Sequence, residues 1–167
     1  FAVSIKLNPR HHGPYYNRAR VYREQGKMDQ AIEEYNRAIE NNPWFAQAYY
    51  GRGAVYKGKG EGTRALADYT KAIQIAPNFV WAYNSRGLLH QELGRYQEAL
   101  FDFDQAIRVD EKFSEAYFNT AELCLKLSNR EAALQAYQAF LQRTSPQDPK
   151  SLTAKQKIEQ LKQELGK

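Results

Sequence analysis

The residues in this sequence that could carry chemistry are few and scattered. The run Gly53-Ala54-Val55-Tyr56-Lys57-Gly58-Lys59-Gly60 is one residue short of a phosphate-cradling loop, in which backbone N–H groups and a lysine hold a nucleotide. The last position of such a loop needs a Ser or Thr hydroxyl for the metal. Here it is Gly60, and no strand pattern precedes the run. His11 and His12 could ligate zinc only with further ligands of fixed geometry, and none is near in sequence, so the pair reads as an exposed linker between Pro9 and Pro14. His90 and Cys124 are single candidates for a base and a nucleophile, each without a companion, and both read as packing residues. The carboxylate pairs Glu33/Glu34 and Asp102/Asp104 could share acid–base work, but they read as a solvated outer face. No catalytic constellation, metal-ligand set or cofactor motif emerges, and the expectation is a protein that is not an enzyme.

The elements that would position any site follow from composition and spacing. The chain has 167 residues, 43% hydrophobic and 26% charged, with 24 Lys+Arg against 19 Asp+Glu and a net charge of +5. That is too apolar for disorder and long enough for a real core. The 12 Tyr, 8 Phe and 2 Trp need packing partners. No run approaches the roughly 18 apolar residues of a membrane span. A single cysteine excludes an internal disulfide. The sequence opens on Phe1, so a targeting segment could lie upstream, and nothing in the residues fixes a compartment.

Periodicity decides the fold. Tyr15, Tyr49, Tyr83 and Tyr117 recur in one register, and Tyr35, Tyr69, Phe103 and Tyr137 recur in step with them. The small residues Ala19, Gly53, Gly87, Ala121 and Ala31, Ala65, Ala99, Ala133 keep the same interval. Gly26, Gly60 and Gly94 mark a turn, with Ser128-Asn129 in the fourth place, and Pro9, Pro43 and Pro77 close successive segments. Within a segment the spacing is helical. Tyr49, Arg52-Gly53 and Tyr56 share one face of a helix that ends near Gly60, and Ala65, Tyr69, Ala72 and Ile73 share a face of a second that stops before Pro77. Each segment is a helix hairpin that cannot bury its apolar face alone, so neighbours must stack.

These positions make the chain similar to the tetratricopeptide-repeat family: Tyr49, Arg52-Gly53, Tyr56, Ala65, Tyr69, Ala72 and Pro77 match its motif position for position. The resemblance implies an all-α, right-handed superhelical solenoid of antiparallel helix hairpins. The expected repeats are 12–45, 46–79, 80–113 and 114–147, preceded by the second half of a truncated repeat (1–11) and followed by a C-terminal capping helix (148–167) with Asp148-Pro149 at its start. Glu111 in place of the closing Pro, Phe140 where Ala is usual, and a late Pro146 depart from the motif and read as end effects. The apolar Phe1, Val3, Ile5 and Leu7 would lack their covering partner, which predicts self-association through residues 1–11.

The family resemblance also implies recognition: the first helix of each hairpin lines a concave groove that binds a peptide segment. Its slots are the second, fifth, sixth, ninth and twelfth residues of each repeat, and the candidate contacts among them are Tyr16, Asn17, Arg20, Arg23, Tyr50, Lys57, Trp81, Asn84, Phe118, Asn119 and Glu122. Tyr16, Tyr50, Trp81 and Phe118 put one ring per repeat on this surface, either as ligand anchors or as braces between repeats. Asn17 and Asn119 hold the slot of the family's groove asparagine, whose amide can bond a peptide backbone, while Gly51 and Ser85 break that ladder. The clamp for a chaperone's C-terminal carboxylate is missing: Gln47, Gly51, Pro149 and Thr153 stand where Lys and Arg would be needed. The groove slots are basic in the first two repeats (Arg20, Arg23, Lys57) and acidic in the fourth (Glu115, Glu122), so the expected ligand has acidic residues toward the first two and basic ones toward the fourth. The leading expectation is a non-enzymatic scaffold for a protein or peptide partner. The alternatives are a recruiting module of a larger enzyme and RNA binding. Net charge runs +2, 0, +3, −2, 0 and +2 along the six segments, which gives no continuous basic stripe and argues against nucleic acid.

Overall fold

The computed structural model describes residues 12–166. Among them are nine helices: α1 His12–Glu24, α2 Met28–Asn41, α3 Ala46–Gly58, α4 Gly62–Ile75, α5 Val80–Glu92, α6 Tyr96–Val109, α7 Ser114–Lys126, α8 Arg130–Arg143 and α9 Lys150–Leu165. No strand occurs among the described residues. The expectations for residues 1–11, a half-hairpin and self-association through it, lie outside the described residues. His12 corrects one expectation: it opens α1, half-buried, with its ring 4.5 Å from that of Phe45, and so is part of the packing and not a linker.

The paired helices turn back on each other through one repeated device. Gly26, Gly60 and Gly94 have φ of +73°, +77° and +74°, and Ser128 adopts +61° at the fourth turn. The N–H after each turns back to a carbonyl in the last turn of the first helix: Lys27 to Tyr22 at 2.9 Å, Glu61 to Tyr56 at 2.9 Å, Arg95 to His90 at 2.8 Å, Asn129 to Cys124 at 2.9 Å. The left-handed residue closes orphan carbonyls at the helix end, which is why glycine suits it. At the fourth turn Asn129 adds a side-chain cap, accepting from the Ala132 N–H at 3.1 Å.

The chain divides into two compact bodies, one ending at Ala82 and the other running from Tyr83. In the first, Ala19, Ala31, Tyr35, Ala38, Ala48 and Val55 form a closed core. The small positions are close approaches: a Cβ on Gly53 would stand 2.9 Å from the Tyr69 ring. In the second body a Cβ on Gly87 would stand 2.7 Å from the Phe103 ring, and Ala121, Ala133, Tyr137 and Phe140 build the core that α9 covers with Ala154 and Leu161. Helix α9 starts at Lys150, whose N–H donates to Asp148 Oδ1 at 2.8 Å.

Buried ion pairs overturn the reading of Glu34 and Asp102 as solvated surface. Glu34, Asp68 and Asp102 are 4%, 5% and 1% exposed. Each accepts from the arginine sixteen residues earlier, on the first helix of the same hairpin: Arg18 Nε to Glu34 at 2.7 Å, Arg52 Nε to Asp68 at 2.8 Å, Arg86 Nε to Asp102 at 2.9 Å. Arg52 and Arg86 bond through Nη2 as well, both at 2.7 Å, in the two-point geometry that suits guanidinium and carboxylate. Glu33 and Asp104, their neighbours, remain outside on exposed pairs with Arg37 and Arg108.

Candidate functional site

In the first body the slot residues project from α1 and α3. Tyr16 and Tyr50 are half-buried, each leaning on two other rings: Tyr16 on Tyr35 (5.9 Å) and Phe45 (5.0 Å), Tyr50 on Tyr69 (5.8 Å) and Phe79 (5.0 Å). These rings therefore serve packing with one side and keep the other for the surface. Asn17, Arg23 and Lys57 are half-buried, whereas Arg20 is exposed, its guanidinium 6.0 Å from the Tyr16 ring. Neither Arg20 nor Arg23 has an ion-pair partner among the described residues. Trp81, at the end of this body, is 47% exposed.

In the second body several slot groups have partners within the chain, whereas the slot residue Gln91 buries its Oε1 without one among the described residues. Asn84 is buried at 5% and accepts from Asn119 Nδ2 at 2.8 Å, so it holds the Asn119 amide in place instead of facing a ligand. Glu122 accepts from the Tyr137 hydroxyl. Glu115 pairs with Lys150 of α9 at 3.3 Å, and the same ammonium stands 5.1 Å from the Phe118 ring. Phe118 leans on Tyr137 (5.8 Å) and Phe140 (5.2 Å). Phe140 thus replaces the ring that Phe45 and Phe79 supply to Tyr16 and Tyr50, because the fourth repeat has Gln147 at that position. What looks like an end effect in sequence is a ring moved from a loop to a helix.

The isolated chemical candidates fall into the scaffold. Gly53 to Gly58 lie within α3 and Gly60 is its turn, so the run forms no phosphate loop. Cys124 is buried, and burial raises its thiol pKa, which keeps it protonated and inert. His90 is half-buried, its Nδ1 without a partner among the described residues and its Nε2 3.9 Å from Asp102; desolvation lowers its pKa, and the Asp102 charge opposes that shift.

One polar group that the sequence reading missed belongs with the first body's slots. Tyr35 is fully buried, its hydroxyl has no hydrogen-bond partner among the described residues, and a Cβ on Gly51 would stand 2.6 Å from that oxygen. The hydroxyl fills the slot that Asn17 holds one repeat earlier. The signal was present in the sequence as a glycine at a slot position, opposite a tyrosine in a register that elsewhere tolerates Phe103.

Comparison with known families agrees with the repeat pattern. Residues 84–149, 46–79 and 1–33 each match a family model described as a tetratricopeptide repeat, and residues 19–60 match one described as a TPR repeat. The chain belongs to the tetratricopeptide-repeat family. Solved structures of tetratricopeptide-repeat proteins share its all-α repeat fold. YrrB, described as a TPR protein with an unusual peptide-binding site, is 23% identical with a TM-score of 0.78 over 99% of this chain and 83% of its own. MamA is 20% identical, with a TM-score of 0.77 over 85% of this chain and 83% of its own. The first TPR of Spaghetti bound to an HSP90 peptide is 21% identical, with a TM-score of 0.67 over 71% of this chain and 94% of its own. No match is found among curated proteins. In tetratricopeptide-repeat terms, α1, α3, α5 and α7 are the first helices of four successive hairpins, and no helix among the described residues is long and apolar enough to cross a membrane.

Proposed function

We propose that this tetratricopeptide-repeat chain is a non-enzymatic scaffold that binds an extended segment of a partner protein on the slot faces of its first helices. The observation that carries the reading is the surface of α1 and α3. Two half-buried rings, Tyr16 on α1 and Tyr50 on α3, and the α1 residues Asn17, Arg20 and Arg23 provide a mixture of apolar anchors and polar groups suited to a polypeptide. The peptide-binding descriptions of YrrB and of Spaghetti support the same class of function for this fold. In the second body Asn119, fixed by Asn84, and Phe118 are the proposed contacts. Glu115 and Glu122 already have partners within the chain, so a basic segment gains little there. The test is selection from a displayed library of random 15-residue peptides, followed by mapping of the enriched peptides through backbone amide shifts. Enriched peptides should shift amides of α1 and α3. No enrichment, or shifts confined to the outer helices α2 and α4, would overturn the reading.

A further inference from the structure

Tyr35 and Tyr137 occupy the same register position in the first and fourth repeats, as do Arg20 and Glu122. In the fourth repeat the Tyr137 hydroxyl donates to the Glu122 carboxylate. In the first, the position of that carboxylate is taken by Arg20, and the Tyr35 hydroxyl donates to no group among the described residues. The Arg23 and Arg20 guanidiniums both act on this phenol, with Glu24 and Tyr16 the other charged or titratable groups near it. A buried hydroxyl without a partner is destabilising, and Arg20 and Arg23, without ion-pair partners among the described residues, add positive potential near it. The first repeat therefore has a donor without an acceptor among the described residues, with the Arg20 guanidinium 6.0 Å from the Tyr16 ring that itself lies 5.9 Å from the Tyr35 ring, where the fourth repeat has a carboxylate.

We propose that the bound segment supplies this acceptor: a side-chain carboxylate, from Asp or Glu of the partner, that accepts from Tyr35 Oη and pairs with Arg20 and Arg23. The proposal rests on the peptide-binding reading and names one subsite within it. Gly51 is part of the subsite, because any side chain there would displace the phenol. Arg20 is exposed, so its side chain can swing to admit the carboxylate and close over it. Burial raises the phenol to about 12, so it remains a donor at all neutral pH values.

The test uses the peptides enriched on the wild-type chain from the random library. They should carry an excess of Asp and Glu over the starting library. Replacing the critical acid of one such peptide by its amide should weaken binding by about tenfold, read by fluorescence anisotropy. Arg20→Glu installs in the first repeat the carboxylate of the fourth; it should keep or raise the thermal midpoint and weaken the acidic peptide at least tenfold. Tyr35→Phe, which removes an unpartnered hydroxyl, should not lower stability but should shrink the acid–amide difference several-fold, and Arg23→Gln should do the same. Enriched peptides without acid excess, or an acid–amide pair bound equally, would overturn this inference and leave the peptide-binding reading standing. No enrichment at all would overturn that reading, and the subsite with it.

Discussion

Tyr35 and Tyr137 stand at one register position, in the first and second body respectively, and their hydroxyls meet opposite fates. In the second body Tyr137 is answered by Glu122, Asn119 by Asn84 and Glu115 by Lys150, while His90 Nδ1 and Gln91 Oε1 are buried without a partner among the described residues. Among the described residues the first leaves a phenol without a hydrogen-bond partner and Arg20 and Arg23 without an ion-pair partner. Both bodies are built from the same hairpin, so packing does not require the difference. Under the subsite proposed above, the difference assigns recognition of acidic groups to the first body. The hairpin interiors differ too. Three repeats staple their helices with a buried arginine–carboxylate pair, while the fourth has Thr120 and Ala136 at those positions, and the Thr120 hydroxyl turns to its own helix, bonding the Ala116 carbonyl at 2.8 Å.

The largest expected effect breaks a staple. Arg52→Met leaves Asp68, 5% exposed, buried without its cation, and should cost about 3–5 kcal/mol in urea unfolding. Arg52→Met with Asp68→Leu should recover most of that loss, because an apolar pair of similar volume replaces an ionic one. Thr120→Met, at the equivalent place in the fourth repeat, should cost far less. Equal losses at Arg52 and Thr120 would show that the two kinds of hairpin are held together in the same way.

A smaller effect compares the turns. Ser128 holds φ of +61° where the other repeats use glycine, and an L residue there costs roughly 1–2 kcal/mol relative to glycine. Ser128→Gly should therefore raise the thermal midpoint, with a gain near 1 kcal/mol, and Gly94→Ser should lower it by a similar amount. A drop on Ser128→Gly would mean that the hydroxyl, and not the backbone, holds the fourth turn.

The fold was legible in the residues because its determinants are local and repeated. Turn glycines, small contact positions such as Gly53 and Gly87, and the ring at Tyr35, Tyr69, Phe103 and Tyr137 each recur at one interval. The buried staples were less visible. Glu34 and Asp102 sit among other charges on amphipathic helices, and a lone acid there reads as solvent-facing unless its partner is found on another helix. That partner was available: the arginine register Arg18, Arg52, Arg86 runs a constant sixteen residues ahead of Glu34, Asp68, Asp102. The slot faces were visible only as positions. Which slot groups are consumed internally depends on contacts between helices, such as Asn119 with Asn84, and no periodicity reports those.

The smallest effect concerns the slot filled by Tyr22 and Tyr56 in the first body and by His90 and Cys124 in the second. The tyrosines carry cations on their faces, Lys27 at 5.9 Å from the Tyr22 ring and Arg64 at 5.4 Å from that of Tyr56. His90 lies among Asp102, Arg86, Arg95 and Glu98, and desolvation holds its pKa below the ordinary 6.5 despite the attraction of Asp102. Asp102 is already committed to Arg86 through two hydrogen bonds, which limits what it offers a protonated imidazole. With the folded value depressed, the unfolded chain takes up the proton first. His90 therefore contributes stability in full above about pH 6.5, and that contribution is lost as pH falls through the folded value. His90→Tyr restores the residue of the first body and removes this titration. The thermal midpoint of the wild type should fall relative to that of His90→Tyr as pH is lowered from 7.5 to 5. If the gap stays constant, the imidazole is not desolvated in solution. If it moves the other way, Asp102 has captured the imidazolium and the ion pair outweighs burial.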